Sequence, residues 1–99
     1  MAALGSKQRQ FLRRLAHALS PLVRIGKAGL TDAVVGETGG ALQAQELIKV
    51  RIDVDESAGR KDLAAQLATA TDAQLAGTIG KIAILYRERD EEPEIKLPR

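Results

Sequence analysis

The sequence predicts a single mixed α/β domain of α+β character, with the order α-β-α-β-α-β-β and a four-stranded mixed sheet packed with helices. Three observations predict it. Residues 46–54 alternate apolar and polar side chains, Ile48, Val50, Ile52 and Val54 against Lys49, Arg51 and Asp53, which is the period of a half-buried strand. Residues 7–19 instead place Phe11, Leu12, Leu15 and Leu19 within one 100° arc, the period of a two-faced helix. Finally, 99 residues with 44% hydrophobic and 28% charged side chains suffice for one small core and no more.

The elements follow in order. Ser6 can cap a helix over about 7–19, whose inner arc is apolar. Arg9, Arg13, Arg14 and His17 fall on its outer side. Ser20-Pro21 ends it, because proline cannot continue a helix and biases its predecessor out of the α region. Leu22-Val23-Arg24-Ile25 reads as a short strand stopped by Gly26-Lys27-Ala28-Gly29. Thr31 is a fitting N-cap for a second helix over about 32–45, with Asp32 in the first turn where the helix dipole favours an acid. This helix should bury Val34, Val35, Thr38, Ala41 and Leu42. Gly36, Gly39 and Gly40 each cost it about 1 kcal/mol relative to alanine. Either tertiary packing rescues the helix, or it frays or kinks near Gly39-Gly40.

After the alternating strand, Asp55-Glu56-Ser57-Ala58-Gly59 is expected as a loop, and a third helix over about 60–70, with Leu63 and Leu67 inward. Two strands near 74–79 and 81–87 close the fold through a tight hairpin at Gly80. The first two strands, joined through a helix, should be parallel, and the terminal pair antiparallel. Residues 88–99 turn acidic and then basic, contain Pro93 and Pro98, and are expected as an extended or flexible tail.

Composition excludes several chemistries. The chain has no cysteine, so disulfides, thiolate metal sites and cysteine nucleophiles are absent. One histidine and scattered carboxylates give neither a metal set nor an acid–base pair, so no catalytic residue, metal or cofactor is expected. The clusters around Asp53 and at Asp90-Glu91-Glu92 read as solvated loop charge. No apolar run reaches the ~18 residues of a membrane span. Met1 to Arg9 lacks the apolar stretch of a secretory signal. A cytoplasmic address is the resulting expectation.

Charge is distributed unevenly. The first thirty residues hold Lys7, Arg9, Arg13, Arg14, Arg24 and Lys27 and no acid. Residues 1–50 carry a net +4 and residues 51–99 a net −2. A basic half of this kind points to a polyanionic partner.

The spacing GxxG occurs at Gly26–Gly29, Gly36–Gly39 and Gly77–Gly80, so the pattern itself selects nothing. Only the first lies between a strand and a helix N-terminus, contains a lysine and has basic neighbours. Glycines let backbone approach a phosphodiester, the helix mouth offers unpaired N–H groups, and Lys27 adds a mobile charge. Gly26, Lys27, Ala28 and Gly29 thus form a candidate phosphate clamp, comparable in logic to the GXXG loop of KH domains. A plain turn with a helix cap is the competing reading. A P-loop fails, with Pro21 in place of its first glycine and Ala28 in place of Ser or Thr. Phe11 and Tyr86, the two aromatics, both fall on core positions, which excludes an aromatic stacking platform. Phosphate and shape recognition by helix termini, amides and cations is what remains.

Leu12-Arg13-Arg14-Leu15-Ala16-His17-Ala18-Leu19-Ser20-Pro21, followed by Val23-Arg24-Ile25-Gly26-Lys27-Ala28-Gly29-Leu30-Thr31, resembles the opening of the YhbY-like proteins. These are stand-alone members of the CRM (chloroplast RNA splicing and ribosome maturation) domain family. Residues 46–52 and 80–87 continue the likeness in the same order, as does the ending Ile95-Lys96-Leu97-Pro98-Arg99. The resemblance implies one RNA-binding domain with a fold similar to the C-terminal domain of translation initiation factor three. It implies a bacterial partner in precursor ribosomal RNA and a role in assembling the large ribosomal subunit. The family's loop maps onto Gly26, Lys27 and Gly29. The three glycines of the second helix depart from the family's better helix formers.

The reading is therefore a non-enzymatic RNA-binding protein. Gly26, Lys27, Ala28 and Gly29 would hold the backbone, and Arg9, Arg13, Arg14 and His17 would extend that surface. Arg24, Lys49 and Arg51 would neighbour it. No membrane or small-molecule substrate is expected. The alternative is a protein-interaction module whose basic helix docks on an acidic ribosomal or assembly partner.

Overall fold

In the computed structural model, which describes residues 3–98, the seven elements occur in the expected order. They are α1 (Ser6–Ala16), β1 (Pro21–Ile25), α2 (Asp32–Gln45), β2 (Leu47–Ile52), α3 (Ser57–Ala70), β3 (Gln74–Ile79) and β4 (Ile82–Tyr86). The strands form one sheet in the order β1-β2-β4-β3. β1 and β2 are parallel, while β4 runs antiparallel to both its neighbours. Among the described residues, no helix is long and apolar enough to cross a membrane.

Strand alternation divides the interior into two layers. Val23, Ile25, Ile48, Val50, Ile52, Ala83 and Leu85 face α2 and α3, packing on Leu42, Ala64, Leu67 and Ala68. Leu47, Ala76, Ile84 and Tyr86 face the other way, onto Leu12 and Ala16 of α1. Tyr86 is buried, as its alternation with Ile82 and Ile84 requires. Phe11 packs against the same layer, half-buried.

α1 differs from its expected form. Its N-cap is Gly5, not Ser6, and the Gly5 N–H donates to Gln8 Oε1 at 3.0 Å. It ends at Ala16, three residues short of Leu19. There the N–H groups of His17 and Leu19 bond three residues back, to Arg14 and Ala16, tightening the chain. The inward stripe is narrower than the apolar arc: Leu12 and Ala16 are fully buried, whereas Leu15 and Leu19 remain 42% and 40% exposed. Beneath α1, β3 presents Ala76 and Gly77. A Cβ built on Gly77 would stand 2.8 Å from Arg13 Cδ, so the arginine stem lies directly on the glycine backbone. Its guanidinium donates to the Ala76 carbonyl at 3.3 Å.

α2 runs unbroken through all three glycines, so packing decides between the two alternatives. Thr31 caps it as expected, accepting from Val34 N–H at 3.1 Å. Thr38, fully buried, donates to the Val34 carbonyl, and Arg87 reaches from β4's end to the Gly39 carbonyl at 2.9 Å. α3 begins at Ser57, so Ser57-Ala58-Gly59 is helix and not loop. Arg60 explains the shorter loop: its guanidinium binds the carbonyls of Val54, Asp55 and Gly80, drawing the 53–56 segment against the hairpin. That hairpin turns at Gly80, in the left-handed region at φ +57°.

Residues 88–98 form neither helix nor strand. Ile95 and Leu97 pack against the α1-side core layer. Glu46, which ends α2 with a positive φ of 63° and is only 1% exposed, is the fastening point. Its carboxylate accepts from the backbone N–H groups of Arg89, Glu94 and Ile95 at 2.7–3.0 Å. Burial opposes its charge, but these three donors, together with the nearby Arg89 cation, more than offset that and hold its pKa below the ordinary 4.5.

Candidate nucleic-acid interface

Register places the basic residues. The β1 and β2 C-termini, the 53–56 loop and the Gly80 hairpin tip share one end of the sheet, because Ile25 pairs Ile52 and Arg51 pairs Ile82. The loop Gly26–Gly29 leaves β1 at that end and leads into α2.

This loop is a closed turn. Gly29 N–H donates to the Gly26 carbonyl at 3.1 Å, and Gly29 sits at φ +70°, where a side chain would be strained. Lys27 and Ala28 occupy the two central positions and are exposed, with Gly26 beside them. The Thr31 cap follows at once. Its hydroxyl takes the Val34 N–H, and Val35 N–H begins the helical ladder on the Thr31 carbonyl. The preceding N–H groups of the first turn sit at the helix mouth, beside the lysine-bearing turn.

Next to the turn, Arg24 and Arg51 stand opposite each other in the β1–β2 register, on the face that α1 only partly covers. Both Nε atoms donate to Asp53, Arg24 to Oδ2 and Arg51 to Oδ1. Asp53 is therefore no freely solvated loop charge. The Arg24 guanidinium, followed by that of Arg51, holds its carboxyl below the ordinary carboxylate value. Two exposed cations on one carboxylate leave a net positive charge with donors still pointing outward.

Lys49, two residues earlier on the same face, is turned inward. Its ammonium binds the carbonyls of Leu19 at 2.9 Å and His17 at 3.5 Å, closing the end of α1. Lys49 thus ties the segment after α1 to β2, beside the arginine pair. Beyond it, Arg14 and His17 are exposed. Gln10, Arg13, Arg14 and His17 line a groove whose other wall is Ile79, at the hairpin end of β3.

Arg9 does not join this surface. Its guanidinium turns back to the Leu4 carbonyl at 3.0 Å, and it borders a depression with Asp72, Ala73, Gln74 and Leu75. Gln74 begins β3 at the opposite end of the sheet from the Gly26–Gly29 turn. Helical periodicity could not reveal this, because the outward angle of a side chain says nothing of position along the sheet.

The structure also brings Asp53, Gln10 and Ile79 to this surface, where the sequence did not place them. Asp53 carried a signal, being polar at the end of a strand whose same-face neighbours are Lys49 and Arg51. Ile79 carried none, since an isoleucine before a turn glycine reads as strand core, yet it is 63% exposed. Among the described residues, no group of three or more histidines and carboxylates could hold a metal.

Comparison with known proteins adds to this geometry. The family model for the CRS1 / YhbY (CRM) domain matches residues 4–87. The chain is 39% identical over 95 residues to the Probable RNA-binding protein YqeI of Bacillus subtilis, covering 96% of this chain and 99% of that one. It is 41% identical over 99 residues to an RNA-binding protein of Haemophilus influenzae, covering 100% and 99%. The solution structure of the Staphylococcus aureus protein SAV1595 superposes with a TM-score of 0.86 at 38% identity, covering 96% of this chain and 99% of that one.

Proposed function

This chain belongs to the CRS1 / YhbY (CRM) domain family, and on that premise we propose that it is an RNA-binding protein that grips the sugar–phosphate backbone at one end of its sheet. The observation that carries the reading is the exposed Lys27 at the apex of the closed Gly26–Gly29 turn, directly ahead of the capped N-terminus of α2. Backbone amides, a helix dipole and a mobile ammonium converge there on one anion. The relatives named RNA-binding proteins support the same partner.

Gly26 and Gly29 shape the turn, Lys27 and Ala28 meet the phosphate, and Arg24 with Arg51 meets the next. Arg14 and His17 continue the path, and Arg13 lines it. Lys49 organises the path from beneath. Arg9 has no part in it. The protein works by binding and not by catalysis. Its RNA is precursor ribosomal RNA of the large subunit in the bacterial cytoplasm, as the family resemblance implies.

Titration of structured ribosomal RNA against wild type and Lys27→Ala, over a series of salt concentrations, tests the reading. Wild-type affinity should fall steeply with salt. Lys27→Ala should bind more weakly to every sequence, with a log–log salt slope shallower by about one. Unchanged affinity and slope in the variant would remove the loop from the site.

A further inference from the structure

We propose that the groove between α1 and the tip of β3 receives one unstacked nucleobase of the bound strand, with Ile79 and the Arg13 guanidinium as its walls. This inference rests on the RNA-binding reading above and adds base contact to a surface otherwise built for phosphates.

Ile79 is the most exposed large hydrophobic side chain of the described residues, at 63%. Its cross-strand partner on the same face is the half-buried Ile82. The other wall of its groove is the helical face Gln10, Arg13, Arg14 and His17, spaced three, four and seven residues apart. One greasy side chain opposite cations and an amide suits a flat, apolar-faced ligand with polar edges that travels with negative charge. A nucleobase on its phosphate chain has that chemistry.

Arg13 supplies the flat surface. Its stem is pressed on the Gly77 backbone and its guanidinium is held by the Ala76 carbonyl, so its position is fixed before any ligand arrives. Guanidinium planes stack on bases as aromatic rings do. Both aromatic residues of this chain are committed to the core: Tyr86 is buried and Phe11 packs beside it. A base therefore meets an arginine and an isoleucine here. Gln10 and His17 flank that slot and can reach base edges.

The position fits one continuous strand. β1 and β3 are the two edges of the sheet, three strand spacings or about 14 Å apart. The Gly26–Gly29 turn and Ile79 lie at the same end, so a chain gripped at the turn and crossing Arg24 and Arg51 arrives at the groove.

The test compares two single-stranded RNA oligonucleotides of equal length, one with bases throughout and one with abasic residues in its central third. Both carry the same phosphates. Each is titrated against wild type, Ile79→Ser and Lys27→Ala. Ile79→Ser replaces an exposed side chain, and its melting curve confirms an intact fold. The expected result is about a tenfold loss by Ile79→Ser on the base-bearing RNA only, with no change in salt slope. Lys27→Ala should weaken both RNAs alike. Equal loss on both RNAs by Ile79→Ser overturns the proposal, as does no loss on either, which would leave Ile79 to a protein partner. Failure of wild type to bind either oligonucleotide overturns this inference, and the RNA-binding reading falls with it only when wild type also fails on structured ribosomal RNA; a silent Ile79→Ser beside a binding wild type overturns this inference alone.

Discussion

Arg24 and Arg51 face each other across the parallel β1–β2 register and share the two carboxylate oxygens of Asp53. Like charges side by side on a sheet repel. Here one acid relieves that repulsion and, in the proposed interface, occupies the place of an RNA phosphate. Asp53→Asn should therefore raise RNA affinity and steepen the log–log salt slope by about one, because the pair then meets phosphate without a resident anion. Fluorescence anisotropy at several KCl concentrations reads both quantities. Loss of affinity would instead make Asp53 the group that aims the two arginines.

Glu46 couples its charge to the fold through the tail it fastens. Its pKa is depressed in the folded state, so its stabilising effect is present above the ordinary carboxylate pKa and is lost as pH falls through the lower folded value. Glu46→Ala should cost about 3 kcal/mol by stranding the partly buried N–H donors of residues 89, 94 and 95. Urea unfolding at neutral pH measures it. Glu46→Gln keeps an acceptor and should lose less, while flattening the fall in stability on acidification.

Gly77 and Arg13 are coupled through contact. Gly77→Ala places a methyl group 2.8 Å from Arg13 Cδ, in mid-stem, so the whole side chain must leave its seat. A loss of about 1–3 kcal/mol is expected from this overpacking. Arg13→Ala in the same chain should relieve most of it. A double-mutant cycle on denaturant midpoints checks the coupling.

α2 contains unused stability. A Cβ at Gly36 or Gly40 would meet nothing within 4 Å, and both positions are exposed. Gly36→Ala and Gly40→Ala should each stabilise by about 0.5–1 kcal/mol, raising the thermal midpoint and leaving RNA binding intact. Gly29→Ala should do the opposite, because φ +70° is costly for any residue with a Cβ.

Local pattern revealed the seven elements, the parallel pair, the hairpin at Gly80 and the Thr31 cap, since each depends on residues close in sequence. What it could not reveal depended on partners far along the chain. Arg87 supports the glycine-rich helix from 48 residues away, and Lys49 closes α1 from 30 residues beyond Leu19. The two glycine positions of the Gly77–Gly80 repeat have separate purposes, close approach at one and a left-handed turn at the other, which spacing alone cannot separate. For the candidate site, the placement of Lys27 beside Arg24 and Arg51 was readable because one loop and two paired strands hold them. Arg9 was misplaced because a helix wheel has no axial coordinate.

The clasp of residues 88–98 brings distant parts of the chain together: the Gln8 side chain donates to the Pro98 carbonyl at 3.1 Å, at the end of the sheet remote from the Gly26–Gly29 turn. A short peptide bridge between those neighbourhoods, with new termini cut into an exposed loop, would give a circular permutant with the same architecture. A fluorophore attached there would report on the protein from its far pole, clear of the proposed RNA interface.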